Sequence, residues 1–237
     1  MCRNISGVSI EMKLKRTVKK FLFIMRHNSF QLKKPRLMRS SFSQAGQESM
    51  VAYFSDYSNF GCYLEIGSGH PKQINNTYLL ETHYQWKGLG VELNPELVSN
   101  YRELRKNPVV LADATNLNYL ELLRNHDFPN RIDFLQIDID PSSQSLAALK
   151  ALPLDEYRFS VITFEHDLYK NSSNESIADE SREILQKEGY CLIFKNVKFL
   201  NGAFEDWYVD PAVVSAKKIK DFKNNNIEYW KNFRLLF

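Results

Sequence analysis

The chain has 237 residues, 43% hydrophobic and 25% charged, with nine glycines and eight prolines. That mixture suits one α/β domain with or without a terminal extension, and it excludes a wholly disordered, collagen-like or linker-like chain. The net charge of +3 hides an asymmetry: residues 1–40 hold eleven Lys or Arg against one acid, Glu11, leaving residues 41–237 at −7.

The N-terminal stretch, residues 1–42, reads as a basic extension. Its charge suits weak contact with an anionic membrane surface, or simply a solvated leader. Its longest apolar run, Phe21 to Met25, is far too short to span a bilayer, and no secretory cleavage pattern follows it. An acidic body is not the footprint of a nucleic-acid-binding core, so no nucleic-acid partner is expected. Cys2, Cys62 and Cys191 are widely spaced and odd in number. They form no disulfide framework or zinc knuckle, and a reducing, cytoplasmic location fits, peripheral to a membrane if the arm binds lipid.

From residue 43 the pattern alternates strands and helices. Gln47 to Phe54 has helical spacing. Cys62–Ile66 is a short apolar run entering the turn Gly67-Ser68-Gly69, which predicts a buried strand. Asn75 to Tyr84 reads as a helix. Gly88–Leu93 is a second strand, stopped by Asn94-Pro95, and Pro95 opens a helix through Arg105. Val109–Asp113 is a third strand and Ile132–Asp140 a fourth, stopped by Pro141. Ser142 and Ser143 are candidate caps for a helix through Lys150. Phe159–Glu165 is a fifth strand. A helix over Glu175–Glu188 closes at Gly189. Tyr190–Val197 and Phe204–Val209 are the sixth and seventh strands, and the tail from Ala212 reads as helical and basic. Cys62 and Cys191 lie in apolar runs and read as buried.

Repeated β-α units with apolar strands predict a seven-stranded, mostly parallel sheet with helices on both faces. Such sheets bind ligands beyond the carboxyl ends of their strands. Here those ends carry Glu65, Glu92, Asp113, Asp138 with Asp140, and Glu165 with His166. Burial accounts for the strand bodies but not for that row of acids.

The turn Gly67-Ser68-Gly69 lets a ligand approach the backbone and leaves amide donors exposed to it. A dinucleotide fingerprint requires a third glycine at position 72, where Lys72 stands, and Pro71 disturbs the helix start that would hold a pyrophosphate. Glu92, 23 residues after Gly69, is placed to accept hydrogen bonds from vicinal ribose hydroxyls, with Leu93 and Asn94 beside it. Ribose recognition without a pyrophosphate cradle points to S-adenosylmethionine. Asp113, followed by Ala114, either takes the adenine amino group or caps a helix from Thr115 onward. Glu65 either faces the cofactor's ammonium or pairs with a basic neighbour.

These residues sit within stretches that resemble the FkbM-like S-adenosylmethionine-dependent methyltransferases. The matching stretches are Ser43-Gln44 with Gly46-Gln47-Glu48, Tyr63 to Gly67, Asn76 to Glu81 and Trp86 to Pro95. They continue with Ile132 to Asp140, Phe164-Glu165-His166 and Glu205 to Pro211. The resemblance runs from about Ser43 to Pro211 and implies a Rossmann-like class I methyltransferase domain, read as residues 43–237, and O-methylation of a hydroxyl on a sugar, glycan-linked or natural-product acceptor. Two departures bear on the acceptor. The family's Asp-x-Glu-Gly is Asp138-Ile139-Asp140-Pro141 here, and His70-Pro71 replaces a small residue after Gly69.

A neutral hydroxyl must lose its proton to a base or a metal. Asp138 and Asp140 are two apart on a strand and share a face, with His166 at the neighbouring strand end as candidate base. Asp138 also reads as a cofactor contact. Asp138, Asp140, Glu165 and His166 further form a candidate donor set for Mg²⁺ or Mn²⁺. Asn171 to Glu175 reads as a substrate loop or a solvated one, and Trp207 as a pocket wall or core. The competing functions are N-methylation of an amine, a non-catalytic binding protein on the same fold, and a nucleotide-sugar or NAD enzyme.

Overall fold

The structure, a computed structural model, describes residues 41–199 and 202–223, all within one compact unit. The expectations for residues 1–40 and for the end of the tail lie outside the described residues; residues 216–223 are helical. The strands are β1 (Cys62–Ile66), β2 (Lys87–Glu92), β3 (Val109–Leu111), β4 (Arg131–Ile137), β5 (Arg158–Glu165), β6 (Cys191–Phe199) and β7 (Gly202–Val209). The helices are α1 (Gln47–Phe54), α2 (Tyr78–Tyr84), α3 (Pro95–Leu104), α4 (Tyr119–Asn125), α5 (Ser142–Ala151) and α6 (Glu175–Lys187).

One seven-stranded sheet runs in the order β3-β2-β1-β4-β5-β7-β6. The pairs β1·β2, β1·β4, β2·β3 and β4·β5 are parallel, whereas β7 lies antiparallel between β5 and β6. The order reverses between β1 and β4, so a crevice opens above their carboxyl ends.

The two faces of the sheet differ in chemistry. One carries Leu64, Ile66, Leu89, Val91, Leu135, Ile137, Ile162 and Phe164, packed against Leu123 of α4, Leu149 of α5 and Leu185 of α6 in one apolar cluster. Each such side chain contributes about 1.5–3 kcal/mol through burial. On the other face, register places Glu65, Gln136, Thr163 and Trp207 side by side across β1, β4, β5 and β7. All four are buried, and Glu65 Oε2, Gln136 Oε1 and Thr163 Oγ1 have no hydrogen-bond partner. Buried polar atoms left this way cost about 1–3 kcal/mol each and concentrate at functional sites rather than in cores.

Several local expectations need correction. The fourth strand ends at Ile137 rather than at Asp140, and the third at Leu111, because the chain turns into the crevice before the acids. Helix α2 begins at Tyr78; Asn75 precedes it, and its Oδ1 accepts the Thr77 and Tyr78 amides at 3.0 and 2.7 Å. Neither Ser142 nor Ser143 caps α5. Pro141 occupies that position, and Ser145 Oγ instead accepts the Ile139 amide at 2.8 Å. Helix α4 is capped by Asn118, whose Oδ1 accepts the Glu121 amide at 3.2 Å. Cys62 and Cys191 are half-buried free thiols rather than core residues.

Candidate cofactor and acceptor site

The turn after β1 is built by two glycines with left-handed backbones, Gly67 at φ 80° and Gly69 at φ 56°. Their surroundings differ. A Cβ at Gly67 would collide with the Asp138 carbonyl, whereas one at Gly69 would meet no atom within 4 Å. Gly67 thus lets β1 close against the end of β4, and Gly69 presents bare backbone to open space. The amides of Gly67 and Ser68 donate to the Val91 carbonyl at 2.9 and 3.1 Å, tying the turn to β2. Ser68 itself is buried beneath the turn, against Gly90.

Glu92 ends β2 beside this turn. Its Oε2 accepts the Gly69 amide at 2.8 Å, and its Oε1 accepts the Leu93 and Asn94 amides, each at 2.9 Å. A carboxylate has about four acceptor sites, so Oε2 retains one for a ligand hydroxyl. Asn94 caps α3 through the Glu96 amide at 2.9 Å, with Pro95 in the first turn.

A cavity of about 870 Å³ opens above these residues, lined by Gly67, Gly69, Glu92, Asp113, Asp138 and Asp140 among others. Leu93, Asn94 and Ala114 also line it, as do Thr115, Ile139, Pro141 and Gln144, none of which the sequence assigns to the site. Its size lies in the range of pockets that take a small organic ligand. The lining contains four carboxylates and no Lys, Arg or His. Asp113 is exposed and already engaged: Oδ1 accepts the Thr115 amide at 2.9 Å and Oδ2 the Asn116 side chain at 2.7 Å. These bonds hold its carboxyl below the ordinary range. Asp113 therefore caps the turn before α4 while facing the cavity.

The acceptor end is a cluster of acids. Asp138 follows β4 and lies on the same sheet face as Glu165. Burial raises Asp138 to about 6, against a hydrogen bond with Glu165 that lowers it, while the Asp167 and Asp140 carboxylates raise it. Burial, then Asp138 and Asp167, push Glu165 far above the usual carboxylate range. Two such groups in contact cannot both ionise; Glu165 keeps its proton and Asp138 carries the charge. Asp167 is buried, with Oδ2 accepting Lys170 Nζ at 2.7 Å. Lys170 also reaches Asp140 at 3.5 Å, and Asp140 is largely exposed.

Three sequence-predicted placements fail. His166 is wholly buried, points to the opposite sheet face from Glu165, and sits 3.4 Å from Asp206 with its Nε2. Neighbouring residues on a strand face opposite sides, so Glu165 and His166 could not both enter the cleft. His166 belongs to a strut with Asp206 and Arg182, whose Nε donates to Asp206 at 2.6 Å. The proposed metal set of Asp138, Asp140, Glu165 and His166 is accordingly dispersed, and among the described residues no three His, Cys, Asp or Glu are grouped to hold an ion. Glu65 does not line the cavity; it is buried behind the turn, accepting Asn75 Nδ2 at 3.0 Å. Trp207 is buried in the core, the second of its two readings.

A reversed strand order, an antiparallel β7 and a glycine bend facing a strand-end carboxylate define the Rossmann-like class I methyltransferase fold. Solved structures of that kind are similar to this chain. TrmK of M. capricolum, with S-adenosylhomocysteine bound, shares 14% identity at a TM-score of 0.46, over 72% of this chain and 73% of its own. A putative rRNA methylase from Clostridium thermocellum shares 10% at 0.47, over 68% and 93%. The N-methyltransferase NodS of Bradyrhizobium japonicum shares 9% at 0.43, over 69% and 85%. No protein-family profile matches the chain, and no curated protein does. Among the described residues, no helix is long and apolar enough to cross a membrane.

Proposed function

We propose that this chain transfers a methyl group from S-adenosylmethionine to a hydroxyl of a neutral, sugar-like or natural-product acceptor. One observation carries the reading: the cavity joins a bare glycine turn and Glu92 to three further carboxylates, with no cation in its lining. A cationic sulfonium nucleoside suits that field, and the pyrophosphate of a dinucleotide does not. The fit is local as well, since Gly69 leaves open the space where a side chain would stand. Resemblance to the FkbM-like enzymes points the same way.

When bound, the cofactor supplies an electrophilic methyl group. The protein's own part is to place and deprotonate the acceptor. Glu92 and the Gly69 backbone would hold the nucleoside, with Leu93 and Ala114 along its base. Asp138 borders the cavity and is ionised above about pH 6, so it replaces His166 as the group that takes the acceptor proton. Glu165, kept protonated, donates to Asp138 and orients it.

Isothermal titration tests the cofactor. S-adenosylhomocysteine should bind with micromolar affinity and NAD should not. Labelled S-adenosylmethionine, offered with a panel of polyols, sugars and amines, then tests the acceptor. Binding of NAD alone would overturn the reading, and label on amines only would move it to N-methylation, which the acid-lined cavity would also serve.

A further inference from the structure

The Ser68–Gly69 peptide is gripped at both ends. Its amide donates to Glu92 at 2.8 Å, and its carbonyl accepts Asn75 Nδ2 at 3.2 Å. Glu92 faces the cavity, but Asn75 is buried and leads away from it. Asn75 Oδ1 accepts Arg105 Nη1 at 3.2 Å. Arg105, just past the end of α3, is itself completely buried through its side chain. The same Nη1 donates to the Pro71 carbonyl at 3.0 Å, and Nη2 donates to Thr77 Oγ1 at 3.0 Å and to the Tyr63 hydroxyl at 2.7 Å. Its Nε donates to Glu81 Oε2 at 2.6 Å.

A buried guanidinium is expensive unless every donor is satisfied in a fixed geometry. Here the donors are spent on three points of one loop, at residues 71, 75 and 77, with Glu81 and Tyr63 as the fixed frame. The loop's other end is the glycine turn. A planar fork can hold these points at once; the single ammonium of a lysine cannot.

Resting on the cofactor reading above, we propose that Arg105 is a positioning residue: acting through Asn75, it fixes the plane of the Ser68–Gly69 peptide against which the cofactor binds. Arg105 touches no part of the cavity, and its effect reaches the ligand only through the loop.

The test compares Arg105→Lys and Asn75→Ala with Leu185→Ala, a core variant in the apolar cluster on the opposite sheet face. Thermal melting, titration with S-adenosylhomocysteine, and amide hydrogen exchange of the unliganded protein are measured for each. All three variants should melt lower. Only the first two should lose affinity, by tenfold or more, and only they should show faster exchange confined to residues 67–77. Affinity within twofold of the parent in both loop variants overturns the proposal, as does an equal loss in Leu185→Ala. A parent protein that binds no S-adenosylhomocysteine overturns the cofactor reading and the proposal with it. The exchange data identify which part failed, since unchanged protection of the loop counts against Arg105 alone.

Discussion

Glu92 Oε2 accepts the Gly69 amide at 2.8 Å, joining the end of β2 to the glycine turn that follows β1. The contact spans the two strands at whose carboxyl ends the cavity begins. It makes Glu92 a prop for the turn and, on the proposed reading, an acceptor for the ligand as well. The two roles compete for the same lone pairs, so substitution here should be read in two measurements rather than one.

Glu92→Ala removes the acceptor for three backbone amides and, on the proposed reading, for a ribose hydroxyl. Its affinity for S-adenosylhomocysteine should fall by about 2–4 kcal/mol, roughly 30- to 1,000-fold. Glu92→Gln should lose less, because its amide oxygen still serves the Leu93 and Asn94 amides. Isothermal titration at neutral pH measures both. Equal affinity in all three proteins would take Glu92 out of the binding site.

In the proposed mechanism Asp138 takes the base role that sequence position suggests for His166. His166→Ala should lower the melting temperature, because Asp206 then keeps only its Arg182 partner, the Asn196 amide and the Tyr208 hydroxyl. Its turnover per folded molecule should stay within twofold of the parent. Asp138→Asn should lose turnover by roughly 10²–10⁴, the usual contribution of a positioned general base. The rate of the parent should rise with pH through about 6 and then level, as Asp138 ionises. An inactive His166→Ala that still melts and binds cofactor like the parent would restore the histidine as a catalyst.

Much of this arrangement is legible in the sequence. Apolar runs ending in Gly67, Glu92 and Asp113 locate the strands and their carboxyl ends, because buried parallel strands tolerate few polar residues along their length. The acids at those ends then stand out. The exceptions are side chains whose direction or partners depend on tertiary structure. Glu165 and His166 are adjacent in sequence, yet the strand's alternation sends one toward Asp138 and the other to Asp206. Nothing in the strand's composition says which. Arg105 reads as an ordinary basic residue at a helix end; only the folded chain brings Pro71, Asn75 and Thr77 around it. Gln136 and Thr163 sit inside strand runs, where a polar residue is easily taken for a solvent-facing one.

The buried acids also set how stability depends on pH. Burial raises Glu48 and Glu65 from an ordinary 4.5 to about 7 each. Between those values the unfolded chain has released the proton while the folded chain still holds it. Stability is therefore fully present below about pH 4.5 and falls as pH rises toward 7, by up to about 3 kcal/mol for each group. Glu165 and Glu205, also raised by burial, act with the same sign. Asp206 has the opposite sign: burial would raise it, but His166 and Arg182 hold it below its ordinary value of 3.8. Its contribution is lost only as pH falls through the acid range, so the two windows do not overlap. Glu65→Gln keeps an oxygen for Asn75 and removes the titration. Urea unfolding of parent and variant at pH 5, 6, 7 and 8 should show a shallower decline in the variant. Parallel curves would mean that Glu65 is ionised throughout, and that Arg105 outweighs burial at this position.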